Sequence, residues 1–179
     1  MTRVTHLGLL GMVMIVSLTG CVNIQVVPKP DQPIAPEFLP HLDIPHSVAV
    51  LGEFQKIPTE VLVCSGGAYR YRAQLDDLTR GAIIVLEIVF ASNKIEVNQN
   101  GKKQLKLSII DAKCESGGFA LDYIAKLKVV AGDSIVKEFS GHQRCLHLWG
   151  TPWAVEMAIT NAVLEMLKDD EILAYLKGI

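Results

Sequence analysis

A chain of 179 residues, with 17 basic and 19 acidic side chains and a net charge of −2 at pH 7, is the length of one domain plus a short appendage. No basic stripe runs through it to suggest a nucleic-acid partner, and none is expected. Beyond the first twenty residues no segment is long and apolar enough to cross a membrane, which takes roughly 20 apolar residues in a helix.

The chain begins with Arg3 as its sole charged residue before Cys21, followed by an apolar run at 7–18 broken only by Gly8, Gly11 and Ser17. Twelve residues suit an export signal better than a membrane anchor. Leu18-Thr19-Gly20-Cys21 then resembles the lipobox of bacterial lipoproteins, Leu-(small)-(Gly/Ala)-Cys. The resemblance implies that residues 1–20 are a signal peptide and that Cys21 becomes residue one, carrying a diacylglycerol on sulfur and a further acyl chain, such as palmitate, on its amine. Several acyl chains, at roughly 0.8 kcal/mol per buried methylene, hold a protein on a membrane essentially permanently. Val22 follows the cysteine where an aspartate would mark retention in the inner membrane. The same resemblance therefore implies the outer membrane and its periplasmic face. The mature chain has 16 basic residues against 19 acidic, a net −3.

Residues 21–47 carry the lipidated cysteine and six of the eight prolines, Pro28, Pro30, Pro33, Pro36, Pro40 and Pro45. Proline removes a donor and fixes φ, so neither a regular helix nor a central strand is expected. The stretch reads as an extended tether reaching roughly 80 Å at most. The competing reading lays Ile34, Phe38 and Leu42 on the domain.

The domain proper is placed at 48–179. Residues 48–54 read as a buried strand and 61–71 as a second extended segment interrupted by Gly66-Gly67. Leu75, Leu78, Ala82, Val85, Leu86, Val89 and Phe90 then recur at helical spacing, with Asp76 and Asp77 where negative charge suits the helix dipole. A helix over 75–91 follows, with Ile83, Ile84 and Ile88 widening its apolar surface so that more than one side should be covered. Residues 83–90 as a buried strand is the competing reading. Asn100-Gly101 signals a hairpin. Keeping Val97, Leu105, Leu107 and Ile109 on one face sets Ile95 opposite Leu105 and favours a three-residue loop, Gln99 to Gly101, with Gly101 left-handed. Residues 120–130 alternate, with Tyr123, Ala125, Leu127 and Val129 inward. Gly132-Asp133 turns the chain, and 135–142 returns as the third strand of an antiparallel meander. Thr151-Pro152 opens the last long helix as N-cap and first helical residue. Trp153, Met157, Val163, Met166 and Leu167 supply its core contacts, and Ala158 and Ala162 allow close approach. Asp169 or Asp170 caps a short final helix with Ile172, Leu173 and Leu176 inward and Gly178 at its end. The sum is an α+β fold: an antiparallel β-sheet with two main helices packed on one face, preceded by a signal peptide and a Pro-rich tether.

With Cys21 lipidated, Cys64, Cys114 and Cys145 remain, and in an oxidising periplasm two of the three should pair. The meander brings Cys114 and Cys145 to one end of the sheet, which favours that disulfide. The middle strand between them, however, sets their backbones roughly 9–10 Å apart, against a disulfide reach of about 7 Å, and either could instead meet Cys64. His142, Cys145 and His147, with Cys114, would supply four ligands for zinc or copper. On a continuing strand His142 points to the opposite face from the other two. Cys64-Ser65-Gly66-Gly67 places a thiol on a glycine-rich turn, but no histidine or carboxylate is tied to it by spacing. No cofactor, no metal site and no enzymatic activity are therefore expected. Leu146, Leu148, Trp149 and Trp153 form an apolar patch, either core under the last long helix or a docking surface for a partner or lipid headgroups.

Residues 123–141 (Tyr-x-Ala-x-Leu-x-Val…Gly-Asp…Lys-x-Phe-x-Gly) and 158–176 (Ala-x-x-x-Ala-Val-x-x-x-Leu-x-Asp-Asp-Glu-Ile-Leu-x-Tyr-Leu) resemble the C-terminal half of YajG-type outer-membrane lipoproteins. The resemblance implies a non-enzymatic, periplasm-facing envelope lipoprotein, attached through Cys21 and binding a protein partner. The layout is also similar to small lipoproteins of lipopolysaccharide assembly or phospholipid transport, which implies lipid or glycolipid handling as the alternative. A metal- or thiol-active envelope protein is the third.

Overall fold

The computed structural model describes residues 21–29, 39–116, 119–146 and 148–179, with Trp149 described by its backbone alone. The predicted signal peptide, Ile34, Phe38, the Gly117-Gly118 pair and His147 lie outside the described residues. In chain order the elements are β1 (Val22–Gln25), β2 (Val48–Gly52), β3 (Glu60–Gly66), β4 (Tyr69–Gln74), α1 (Leu75–Ser92), β5 (Lys103–Ser116), β6 (Leu121–Ala131), β7 (Ile135–Cys145), a 3-10 turn (Leu148–Gly150), α2 (Thr151–Met166) and α3 (Asp170–Lys177). They form a four-stranded sheet, β2-β5-β6-β7, and a three-stranded sheet, β1-β4-β3. The architecture is α+β, with α1 and α2 packed on the larger sheet and on each other.

The meander β5-β6-β7 is antiparallel throughout. Its inward residues are those the alternation predicts: Tyr123, Ala125, Leu127 and Val129 are all buried. In α1, each of Leu75, Leu78, Ala82, Val85, Leu86, Val89 and Phe90 is buried, and the helical period wins over the strand alternative. A second side of α1 is covered by the N-terminal segment, with Pro28 against Gly81, while Ile84 stays exposed. α2 approaches β7 so closely that a Cβ on Gly141 would collide with the Ala158 carbonyl and the Ala162 amide nitrogen. Small residues on both partners allow this, as Ala158 and Ala162 suggest from the sequence. α2 begins one residue earlier than expected: Gly150 is its N-cap, and Thr151 is already helical. The Thr151 hydroxyl turns inward instead, sharing a 2.6 Å hydrogen bond with the Tyr123 hydroxyl and donating to the Leu148 carbonyl. Trp153 and Met157 lie outside the buried set, and the core contacts of α2 come from Ala154, Val155, Ala158, Ile159, Ala162, Val163 and Met166. α3 is capped by Asp169, whose carboxylate accepts from the amides of Glu171 and Ile172, and it ends at Gly178 in the left-handed region.

Two expectations about strand partners are corrected. The Asn100-Gly101 hairpin does not form. β2 occupies the place beside β5 instead, running parallel to it from Val48↔Lys103 to Gly52↔Leu107, and Val97 keeps a single bridge to Val48. Gly101 is not left-handed; a Cβ there would strike the backbone of Val48 and Ala49, so the glycine serves close approach. Ile95 is buried just beyond the C-cap of α1, not paired with Leu105. The 61–71 segment is a hairpin, β3-β4, whose turn puts Gly67 at φ 58°.

The predicted tether is docked at both of its described ends. β1 pairs in parallel with β4, and Val26 beyond it is fully buried, donating its amide to the Arg72 carbonyl at 2.7 Å. Burying one valine contributes about 1.5 kcal/mol or more, and it adds to the ladder with β4 against the cost of ordering the segment. At the far end Leu42 and Ile44 are buried, and the Asn93 side chain clasps the chain there. Its Oδ1 accepts from the Leu42 amide and its Nδ2 donates to the Pro40 carbonyl. β1 itself contains no proline, which is why a Pro-rich stretch still contributes a strand.

β5 has three successive neighbours along one edge. β2 covers it to Leu107. A bulge then falls between Ile109 and Asp111, and the Ile109 amide donates to the buried Thr79 hydroxyl of α1 at 2.9 Å. Beyond that lies β3, joined to β5 by the disulfide Cys64–Cys114, with 5.2 Å between Cα atoms. This corrects the Cys114–Cys145 expectation: β6 lies between β5 and β7, opposing Tyr123 to Cys114 and Leu121 to Cys145.

Candidate functional site

One end of the molecule gathers the residues that the sequence singles out. Cys21 is exposed, outside any disulfide, and immediately precedes β1, where the Val22 amide donates to the Ala68 carbonyl at 2.7 Å. Val22 pairs with Tyr69, the first residue of β4, and Tyr69 pairs across the turn with Gly66. Gly66 packs against the Leu148 side chain. Leu148 opens the 3-10 turn that leads into α2, so Trp149 and Trp153 belong to this same end. β7 arrives here too, with Cys145 opposite Leu121 and Leu146 just beyond. Phe119 stands in the β5–β6 connection at the same end.

The four-residue patch divides in the structure. Leu148 is half-buried against the core, whereas Leu146 is 68% and Trp153 39% exposed. Three further exposed apolar side chains surround them: Phe119 at 100%, Val22 at 49% and Tyr69 at 39%. The sequence reading missed these three. For Phe119 a signal existed, an aromatic residue directly after a Gly-Gly pair in a turn, where core packing is not expected. Val22 and Tyr69 carried none, because their neighbourhood depends on β1 joining β4.

The polar candidates separate. Cys114 is bonded to Cys64, which removes it from any His-x-x-Cys-x-His metal site. His142 is exposed on β7, and Cys145 is half-buried near Gly150. Among the described residues no group of three or more His, Cys, Asp or Glu is placed to hold a metal ion. Cys64 is likewise consumed as a nucleophile. Burial pushes the Tyr123 phenol above its usual range, with the Thr151 hydrogen bond opposing that shift, so Tyr123 is a neutral partner to Thr151. A cleft of about 270 Å³ lies where β2 ends over α1 and the β5 bulge, lined by Glu53, Phe54, Asp76, Thr79, Ser108 and Lys128 among others. Its charges are already engaged: Lys128 reaches Glu53 at 3.0 Å, Asp76 accepts from the Gln55 amide, and Arg80 stacks on Phe54. That lining differs from the apolar cavity a lipid carrier needs. Among the described residues no helix is long and apolar enough to cross a membrane.

No family model matches the chain, and no curated protein does. Among solved structures it is similar to the crystal structure of protein XCC0632 from Xanthomonas campestris, of family DUF330. The likeness has 13% identity and a TM-score of 0.49, covering 88% of this chain and 96% of that one.

Proposed function

We propose that the chain is a lipoprotein of the bacterial cell envelope, cleaved before Cys21, acylated there, and held at the periplasmic face of the outer membrane. It acts as a non-enzymatic accessory to an envelope protein partner, which meets the domain on surfaces that face away from the bilayer. The observation that carries this reading is Cys21 itself, exposed and outside any disulfide at the head of β1, directly after Leu18-Thr19-Gly20. The Cys64–Cys114 disulfide supports an oxidising compartment. The YajG-like pattern of 123–141 and 158–176 supports the same class, since those residues build β6, β7, α2 and α3. Labelled palmitate fed to cells expressing wild type and Cys21→Ser tests the proposal. Label and membrane retention should both be lost in the variant; equal labelling, or unchanged retention, refutes it. Crosslinking in intact envelopes should then recover a partner protein.

A further inference from the structure

We infer that the end of the domain bearing Cys21 seats directly in the phospholipid headgroup layer, with Val22, Tyr69, Phe119, Leu146 and Trp153 as its contact rim. The inference rests on the proposed acylation of Cys21 and adds to it an orientation and a binding surface. Its first support is distance. β1 begins at Val22, so a single residue, spanning about 3.3 Å, separates the sheet from the anchoring sulfur. The headgroup region is roughly 5–7 Å thick on each side of the hydrocarbon. No free tether spans that gap, so an acylated Cys21 draws the nearest protein surface into the headgroups.

The second support is the chemistry of that surface. Its side chains are aromatic or aliphatic and solvent-exposed, whereas Tyr71, Phe90 and Tyr123 are buried in the core. Phe119 touches nothing that covers it. Tyrosine and tryptophan favour the membrane–water boundary, where the ring is buried and the polar edge stays wet. Trp153 is exposed at this end. The residues come from β1, β4, the β5–β6 connection, the β7 exit and α2, so separate elements of the fold contribute to one end.

Because Trp153 lies on the rim, tryptophan emission reports the contact. The mature protein, purified from membranes, is reconstituted into vesicles of phosphatidylethanolamine and phosphatidylglycerol containing a lipid with a nitroxide near the headgroup end of its chain. Tryptophan emission should fall relative to vesicles without the nitroxide. Phe119→Asp/Leu146→Asp, still acylated and with an unchanged melting temperature, should recover much of that loss. Intact mass of the same sample reads the acyl chains independently. Absence of acylation overturns both this inference and the anchor proposal. Acylated, vesicle-bound protein with unquenched tryptophans overturns this inference alone, as does crosslinking that finds the rim covered by a protein partner or a second copy.

Discussion

Gly141 sets the distance between α2 and the sheet. Its missing Cβ leaves room for the Ala158 carbonyl and the Ala162 nitrogen, groups of a helix backbone that cannot rotate away. Gly141→Ala should therefore destabilise the domain by about 1–3 kcal/mol, the usual cost of overpacking. A urea midpoint indistinguishable from wild type would show that α2 stands further off. Asp169 does two things at once: it caps α3, and it accepts from Lys137 at 2.8 Å. The Lys137 hydrogen bond, opposed by desolvation and helped by the Ile172 and Glu171 amides, holds its carboxyl below the usual aspartate range. The folded value lies below the unfolded one, so this stabilisation is complete above the ordinary aspartate pKa of about 4 and is lost as pH falls through the folded value. Asp169→Asn keeps an N-cap acceptor but removes the charge. It should cost under about 1 kcal/mol at neutral pH and flatten the loss of stability below pH of about 4. Thermal melts across that range check it, and an acid slope equal to wild type would assign the sensitivity elsewhere.

Elements whose identity depends on local pattern were legible in the chain. α1 and its buried face follow from a 3.6-residue period, the meander from alternation and the Gly132-Asp133 turn, and α3 from Asp169 and Gly178. What local pattern cannot carry is the choice of partner. Residues 94–99 and β2 both offer apolar residues to the edge of β5. β2 wins because Val48 and Ala49 bury completely there and Gly101 lets their backbone in, a contact between residues some fifty apart in sequence. The cysteines show the same limit. Strand spacing already argued against Cys114–Cys145, yet nothing local pointed to Cys64, because β3 reaches β5 only after β2 has ended. Replacing both Cys64 and Cys114 by alanine should cost about 2–4 kcal/mol, as expected for opening a loop of this length. Peptide mapping without reductant should recover the 64–114 linkage; a bridge to Cys145 would refute the pairing.

At the scale of the whole molecule, the candidate site was half legible. Cys21, Leu146 and Trp153 stand out in the sequence, while the arrival of Val22 and Tyr69 at the same end required β1 to be a strand on β4. A Pro-rich segment reads as a spacer until Val26 and Leu42 are seen to be buried, and that difference lays both described ends of the segment on the domain. The disulfide has a topological consequence as well. It closes residues 64–114 into a covalent ring that contains β4, α1 and most of β5. The rest of the chain hangs from that ring as two arms: β1 and β2 lie on β4 and β5 from one side in sequence, and β6 adds to β5 from the other. A protease that cuts once inside the ring, at the exposed Asn100 for instance, releases nothing: both arms stay linked through the sulfur bridge, and the nicked protein separates into two pieces only when reductant and denaturant are supplied together.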